Sequence, residues 1–316
     1  MVRAVVAGSY GGPEVIEVIE VESRPAGDGE VVIAVRAAAL NPYDGQQARG
    51  EKGRDPDKLP LRLGSEASGV VTSVGERAIG VEGDELRVGD EVFGQRLSGA
   101  QASELTVPAD RLVRKPRGVG FPQAASLLLT GTTAVHGLEA VRLAAGETLL
   151  LHGASGGVGT LVAQLAVLRG ARVIGTASSR RFDELRALGV EPVAYGGGLA
   201  DRVRELAPHG VDAAFDAAGT DEALEVSLEL LGDPGRLVTI VNFTAVLAAG
   251  GQAIGGGPGA DPGREIRAAA LVPLTRLLGE GRIRVDVAAT LPLESAADAY
   301  RLLETGNSGG KVVLEP

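Results

Sequence analysis

The chain of 316 residues has room for one large or two medium domains, at roughly 100 to 200 residues each, and 44% hydrophobic against 23% charged residues excludes a disordered or linker-like chain. A net charge of −10, with no Lys/Arg run longer than a pair, excludes nucleic acid and anionic membrane as expected partners. The absence of cysteine removes disulfides, thiolate metal sites and a catalytic thiol.

The opening MVRAVVAGSYGGPE has no apolar run suited to a signal peptide, so a cytoplasmic protein is expected. Val15, Ile16, Val18, Ile19 and Val21 interleave with Glu14, Glu17, Glu20 and Glu22, and an apolar run follows from Val31 to Val35. Turn clusters at Gly11-Gly12-Pro13, Gly27-Asp28-Gly29 and Val88-Gly89-Asp90 mark residues 1–118 as β-rich. From Phe121 to Arg142 the pattern is helical, with Pro122 in a first turn. Strands are then predicted at 148–152, 172–176, 192–195, 211–215 and 236–241. Helices alternate with them, the first presenting Val158, Leu161, Val162, Leu165 and Leu168, the others spanning 181–188, 199–206 and 221–231. Strand and helix in steady succession predict an α/β, doubly wound parallel sheet. Leu237 to Ala260 is uncharged but broken by Thr239, Asn242, Thr244 and glycines, so it is no membrane helix. Residues 250–263 contain seven Gly and two Pro and predict a flexible loop. A helix at 265–279, a strand at 285–291, a helix at 294–304 and a strand at 311–314 complete the chain. The 47 glycines accompany 27 Arg against four Lys, a bias that GC-rich coding produces, so a lone Gly carries little weight.

The strand Leu149–His152 runs into Gly153-Ala154-Ser155-Gly156-Gly157-Val158-Gly159, which opens a helix. Read as A-x-G-x-x-G, it puts Gly156 where backbone must approach a pyrophosphate and Gly159 where helix and strand pack closely, so Ser155, Gly156, Gly157 and Val158 are candidate dinucleotide contacts. The next strand ends in Ala177-Ser178-Ser179-Arg180-Arg181, with no acid before Asp183. Ser178, Arg180 and Arg181 suit a 2′-phosphate, which selects NADP(H) over NAD(H), although the serines could equally cap the following helix.

AALNPYD (38–44), LGSEASGVV (63–71), VGDEVFG (88–94), AASLLLTGTTA (124–134), HGASGGVG (152–159), VDAAFDAAG (211–219) and GKVVL (310–314) together resemble the medium-chain dehydrogenase/reductase superfamily, in its zinc-free quinone oxidoreductase-like branch. The resemblance implies a β-rich GroES-like catalytic domain from residues 1–118 and 285–316. It implies a Rossmann NADP(H)-binding domain at 119–284, a cleft between them for nicotinamide and a small-molecule substrate, and a homodimer. A sixth sheet strand would be expected at 243–263, where this chain has Gly-rich sequence instead, and the 250–263 loop is expected to be mobile and to border the cleft, with a plain surface loop as the alternative. Zinc-dependent relatives carry Cys and His where this chain has Asn41 and Ser65, so no metal is expected and alcohol oxidation is disfavoured.

By analogy with the family, Asn41 lies near the nicotinamide ribose or substrate and Thr133 near the nicotinamide. Tyr195 lies beside the adenosine phosphate, Val241 and Asn242 lie at the carboxamide, and Asn307 comes from the C-terminal segment. Tyr43 offers a phenol as a candidate catalytic group, against the alternative of packing on Pro42. His136, His152 and His209 make poor general bases, and Asp44 and Glu66 are read as fold support. Three functions stay open: NADPH-dependent reduction of quinones or α,β-unsaturated carbonyls, enoyl-thioester reduction on coenzyme A or a carrier protein, and NADP(H) binding without turnover.

Overall fold

Alternating Val/Ile and Glu make β2 (Ile16–Val21), which pairs antiparallel with β1 (Val2–Ala7), Val5 opposite Val18. A computed structural model describes residues 1–306 and 309–316. The run Val31 to Val35 becomes β3 (Glu30–Ala39), followed by α1 (Pro42–Ala48), β4 (Leu61–Arg62), β5 (Glu66–Val74), β6 (Glu91–Gln95), β7 (Glu104–Pro108) and β8 (Leu112–Arg114). Along one edge β3 pairs antiparallel with β5. Val31, Ile33, Val35, Val71, Val92 and Leu105 form the apolar core between these strands.

The helical stretch after Pro116 is two helices, α2 (Phe121–Ala125) and α3 (Leu128–Ala140). Next come β9 (Thr148–His152), α4 (Gly157–Leu168), β10 (Arg172–Ala177), α5 (Phe182–Arg186), β11 (Val190–Ala194), α6 (Leu199–Leu206), β12 (Ala213–Asp216), α7 (Asp221–Leu230) and β13 (Leu237–Thr239). After α8 (Phe243–Ala248), β14 (Gln252–Ala253) and α9 (Arg264–Ala269), the chain ends with α10 (Leu271–Gly279), β15 (Val287–Pro292), α11 (Ala296–Glu304) and β16 (Lys311–Glu315). The predicted helix over 265–279 is split, and Pro273 falls in the first turn of the second piece, where a missing N–H costs nothing.

The chain divides into two compact units, residues 1–129 with 271–316, and residues 130–270. These boundaries lie inside the expected Rossmann segment of 119–284. The reason is packing: α2 sets Ala125 against Ala37 and Ala39 of β3, and Phe121 accepts a 2.7 Å hydrogen bond from the Ser68 hydroxyl. At the other end, Gly279 of α10 lies against Pro116. In the first unit, β16 and β7 share the second edge of β3, so both chain ends build one sheet.

The second unit is a doubly wound parallel sheet in the order β11-β10-β9-β12-β13-β14, which reverses direction between β9 and β12. A sixth strand therefore exists within the Gly-rich segment, contrary to the expectation of a flexible loop over 250–263. The Gln252 amide holds it by donating to the carbonyls of Ala140 (2.8 Å) and Gly235 (2.7 Å). Residues 254–261 then fold back, Gly255 N donating to Asp261 O and Asp261 N to Ala253 O, each at 2.8 Å. A Cβ on Gly257 would sit 2.5 Å from the Phe243 ring, so this glycine answers a steric demand rather than a codon bias.

Gly159 packs α4 on the strand-end turn so closely that a Cβ would meet Gly153 O at 2.1 Å, whereas at Gly156 the nearest atom lies 3.4 Å away. Gly159→Ala is therefore expected to destabilise the protein by about 1 to 3 kcal/mol, and Gly156→Ala by less than about 1 kcal/mol, in denaturant melts. Equal losses would contradict this packing.

Candidate active site

Parallel strands leave their carboxyl ends and the following loops on one edge of the sheet, where doubly wound folds bind ligands. Gly156 is exposed as the N-cap of α4, with Ser155 before it and Gly157 and Val158 in the first turn, whose N–H groups have no intrahelical acceptor. Ser178 follows β10 on the neighbouring strand. Arg180 is exposed and makes no ion pair among the described residues, while Arg181 is half-buried and bound to Glu184 at 2.5 Å. Tyr195, one residue past β11, is 61% exposed, and Val241, two past β13, is 47% exposed. The fold thus gathers Ser155, Gly156, Gly157, Val158, Ser178, Arg180, Arg181, Tyr195, Val241 and Asn242 at the ends of β9, β10, β11 and β13.

Asp216, fully buried at the end of β12, organises this edge and was not singled out by the sequence reading. Its Oδ1 accepts Ala218 N (2.9 Å) and Gly219 N (2.8 Å), and its Oδ2 accepts the Thr239 hydroxyl (2.8 Å). Thr239 Oγ1 in turn accepts Val241 N at 3.1 Å and Asn242 N at 3.0 Å. The only signal in the sequence is an Asp and a Thr at the ends of two apolar strands. His152 is buried beside it, with Nε2 facing Ser227 Oγ at 3.1 Å. Burial lowers its pKa to about 4 against the opposing charges of Asp216 and Glu222, so it is neutral at pH 7.

Thr133 lies on α3, where its hydroxyl accepts Arg267 Nη1 at 2.9 Å. Arg267 Nε also donates to His136 Nδ1 (3.3 Å), which leaves His136 Nε2–H to face Asp261 Oδ2 at 3.2 Å. Burial, then the Arg267 charge, lowers the His136 pKa.

In the other unit Asn41 is the N-cap of α1 and is buried with Asp44, Ser65, Glu66 and Lys311. Lys311 Nζ donates to Asn41 Oδ1 (2.6 Å) and Glu66 Oε1 (2.8 Å), and Asn41 Nδ2 donates to the same Glu66 oxygen at 3.0 Å. Glu66 Oε2 accepts Leu129 N at 3.1 Å. Asp44 accepts the Ser65 hydroxyl (2.7 Å) and Asn41 N (2.9 Å). Burial pushes the Asp44 carboxyl up to about 6 against these two hydrogen bonds, and the Glu66 charge adds to the rise. Lys311 was missed in the sequence because a lysine beginning a strand reads as an exposed edge. Tyr43 is 42% exposed on α1, with Lys52 Nζ 5.8 Å from its ring centre. Asn307 lies outside the described residues.

Residues 27–117 match the alcohol dehydrogenase GroES-like domain and residues 188–314 the zinc-binding dehydrogenase family. The chain is 31% identical over 339 residues to an NADPH-dependent alkenal/one oxidoreductase, chloroplastic, of Arabidopsis thaliana, covering 99% of this chain and 79% of that protein. It is 36% identical over 308 residues to the spectinabilin polyketide synthase system protein NorB of Streptomyces orinoci, covering 92% of this chain but 13% of that protein. The crystal structure of Escherichia coli quinone oxidoreductase complexed with NADPH superposes with a TM-score of 0.85 at 27% identity, covering 99% of this chain and all of that one. No helix among the described residues is long and apolar enough to cross a membrane. With a six-stranded doubly wound sheet in one unit, a β-rich other unit and a relative 31% identical over 99% of this chain, the chain belongs to the medium-chain dehydrogenase/reductase superfamily, in its quinone oxidoreductase-like branch.

Proposed function

We propose that the protein is an NADPH-dependent reductase of quinones or α,β-unsaturated carbonyls that works without a catalytic metal. The observation that carries this reading is Arg180, an exposed guanidinium with no ion pair among the described residues, at a strand end with no acid before Asp183 and next to the Gly156 turn. In this reading the Gly156–Val158 backbone and Ser155 hold the pyrophosphate, Ser178, Arg180 and Arg181 hold the 2′-phosphate, and Tyr195 flanks the adenosine. Asn41, Thr133, Val241 and Asn242 serve the nicotinamide and substrate. Held by these residues, NADPH would supply the hydride, and the acceptor would take one proton from water or from a side chain. Tyr43 is the candidate for that last transfer, its phenol standing half exposed.

Zinc does not fit the residues present. Asn41 and Ser65 replace a thiolate and an imidazole, and Glu66 already shares an oxygen with the Lys311 ammonium at 2.8 Å. Enoyl-thioester reduction is the second reading, favoured by the 36% identity with the polyketide synthase segment. The proposal also includes a homodimer in the cytoplasm; β14 ends the parallel sheet and gives it an edge for pairing, and light scattering is expected to return twice the chain mass.

The test is NADPH absorbance followed with naphthoquinones, enones and enoyl thioesters. Oxidation by the first two classes supports the reading, preference for thioesters supports the second, and no oxidation by any would leave only dinucleotide binding. Arg180→Ala is expected to weaken NADPH binding on the order of ten- to a hundredfold and leave NADH nearly unchanged in fluorescence titrations, as for loss of one charge-assisted contact. Equal losses would take Arg180 off the 2′-phosphate. Turnover after EDTA treatment is expected to equal that of the untreated enzyme, with metal content checked by elemental analysis; loss restored by zinc would overturn the metal-free reading.

A further inference from the structure

We propose that Arg202 is a positioning residue that holds the turn after β11 in the shape that sets Tyr195 beside the 2′-phosphate of NADPH. The inference rests on the proposed use of NADPH and deepens it, and every residue in it lies in the second unit. Tyr195 is followed by Gly196-Gly197-Gly198, the most permissive tripeptide a chain can have. Gly196 and Gly198 stand at φ +96° and +80°, and a Cβ on Gly196 or Gly197 would meet nothing within 4 Å, so packing does not hold this turn. Hydrogen bonds from the next two helices do. Arg202 of α6 reaches back to three carbonyls: Nε and Nη2 donate to Ala194 O at 3.1 and 2.8 Å, Nη2 also to Gly196 O at 2.7 Å, and Nη1 to Gly197 O at 2.8 Å. Glu222 of α7 accepts Gly196 N at 2.9 Å. Gly196 is thus gripped at both its N–H and its C=O, and the carbonyls on either side of Tyr195 share one guanidinium. Only the planar fork of an arginine spans three acceptors in this way.

The register of the sheet says what lies beside the turn. Ala177 of β10 pairs with Ala194 of β11, so Ser178 and Tyr195 are the first residues past two adjacent strand ends. In a doubly wound sheet the strand after the glycine turn ends in the group that reads the adenosine ribose, and here that end carries Ser178, Arg180 and Arg181. A phenol one strand away, left 61% exposed, is a further hydrogen-bond donor for a phosphate at that end. Ordering three glycines carries a large entropic cost, and the clamp meets it when the protein folds rather than when the ligand binds. Arg202 thereby acts through Tyr195 and need not touch the dinucleotide.

The experiment is calorimetric titration with adenosine 2′,5′-bisphosphate and with 5′-AMP, which probe the adenosine half of the dinucleotide without its nicotinamide. Arg202→Met is expected to weaken binding of the bisphosphate about tenfold and of 5′-AMP by no more than about twofold. Tyr195→Phe is expected to weaken the bisphosphate in the native background, and to change it by no more than about twofold when combined with Arg202→Met. Arg202→Lys keeps the charge but not the fork and is expected to recover only part of the loss; it carries the same comparison should Arg202→Met not fold. The Gly196 amide is expected to exchange its hydrogen faster in either variant while the amides of β9, β10 and β12 keep their protection, which separates a loosened turn from a loosened domain. Equal losses for both ligands, full recovery in Arg202→Lys, additive effects with Tyr195→Phe or unchanged exchange at Gly196 would each overturn the proposal. No preference of the native chain for the bisphosphate over 5′-AMP, measured first, would remove the 2′-phosphate reading itself.

Discussion

A carboxylate with no exposed surface has to be neutralised where it sits, and in the first unit that carboxylate is Glu66. Removing one partner of such a buried pair costs on the order of 3 to 5 kcal/mol, because the remaining charge is left without compensation. Its donors come from three remote parts of the chain: the Asn41 amide at the start of α1, the Leu129 N–H at the start of α3 and the Lys311 ammonium at the start of β16. Satisfying Glu66 therefore requires the last strand to lie beside the first third of the chain, as its pairing with β3 does. The same charge helps hold the Asp44 carboxyl up at about 6.

The second unit solves a different problem at its own buried carboxylate. Asp216 meets no cation among the described residues; it is satisfied by two backbone N–H groups and the Thr239 hydroxyl. The loops after β12 and β13 are thus tied to one side chain, and Val241 and Asn242 are held through Thr239 of the strand before them. Fixing loop geometry with inward hydrogen bonds leaves the outer surface of the edge, with Tyr195 and Arg180, open for a ligand.

How much of this was legible in the sequence depends on the range of the interaction. The parallel strands, the helical face of α4 and the turn with Gly156 and Gly159 could be read because apolar period and glycine spacing act within a few residues. Lys311 and Glu66 are 245 residues apart, and Thr239 lies 23 from Asp216, so nothing local marks either pair. β14 was hidden by its glycines: seven in 250–263 read as disorder, whereas Gly257 is required by the Phe243 ring beside it. The compact units part at residues 129 and 270, inside the expected 119–284 segment, for a packing reason. Helical sequence after Pro116 announced the second domain, but Ala125 and Phe121 bury their helix against β3 and β5.

The central claim is direct delivery of hydride to an electron-poor carbon, with the proton arriving separately from water or an exchangeable side chain. The most direct measurement follows deuterium from NADPH labelled at the transferred C4 position into the reduced enone by NMR. The expected result is deuterium at the β-carbon only, and, with unlabelled NADPH in D₂O, deuterium at the α-carbon only. Deuterium from solvent at the β-carbon, or none from the labelled NADPH, would contradict it.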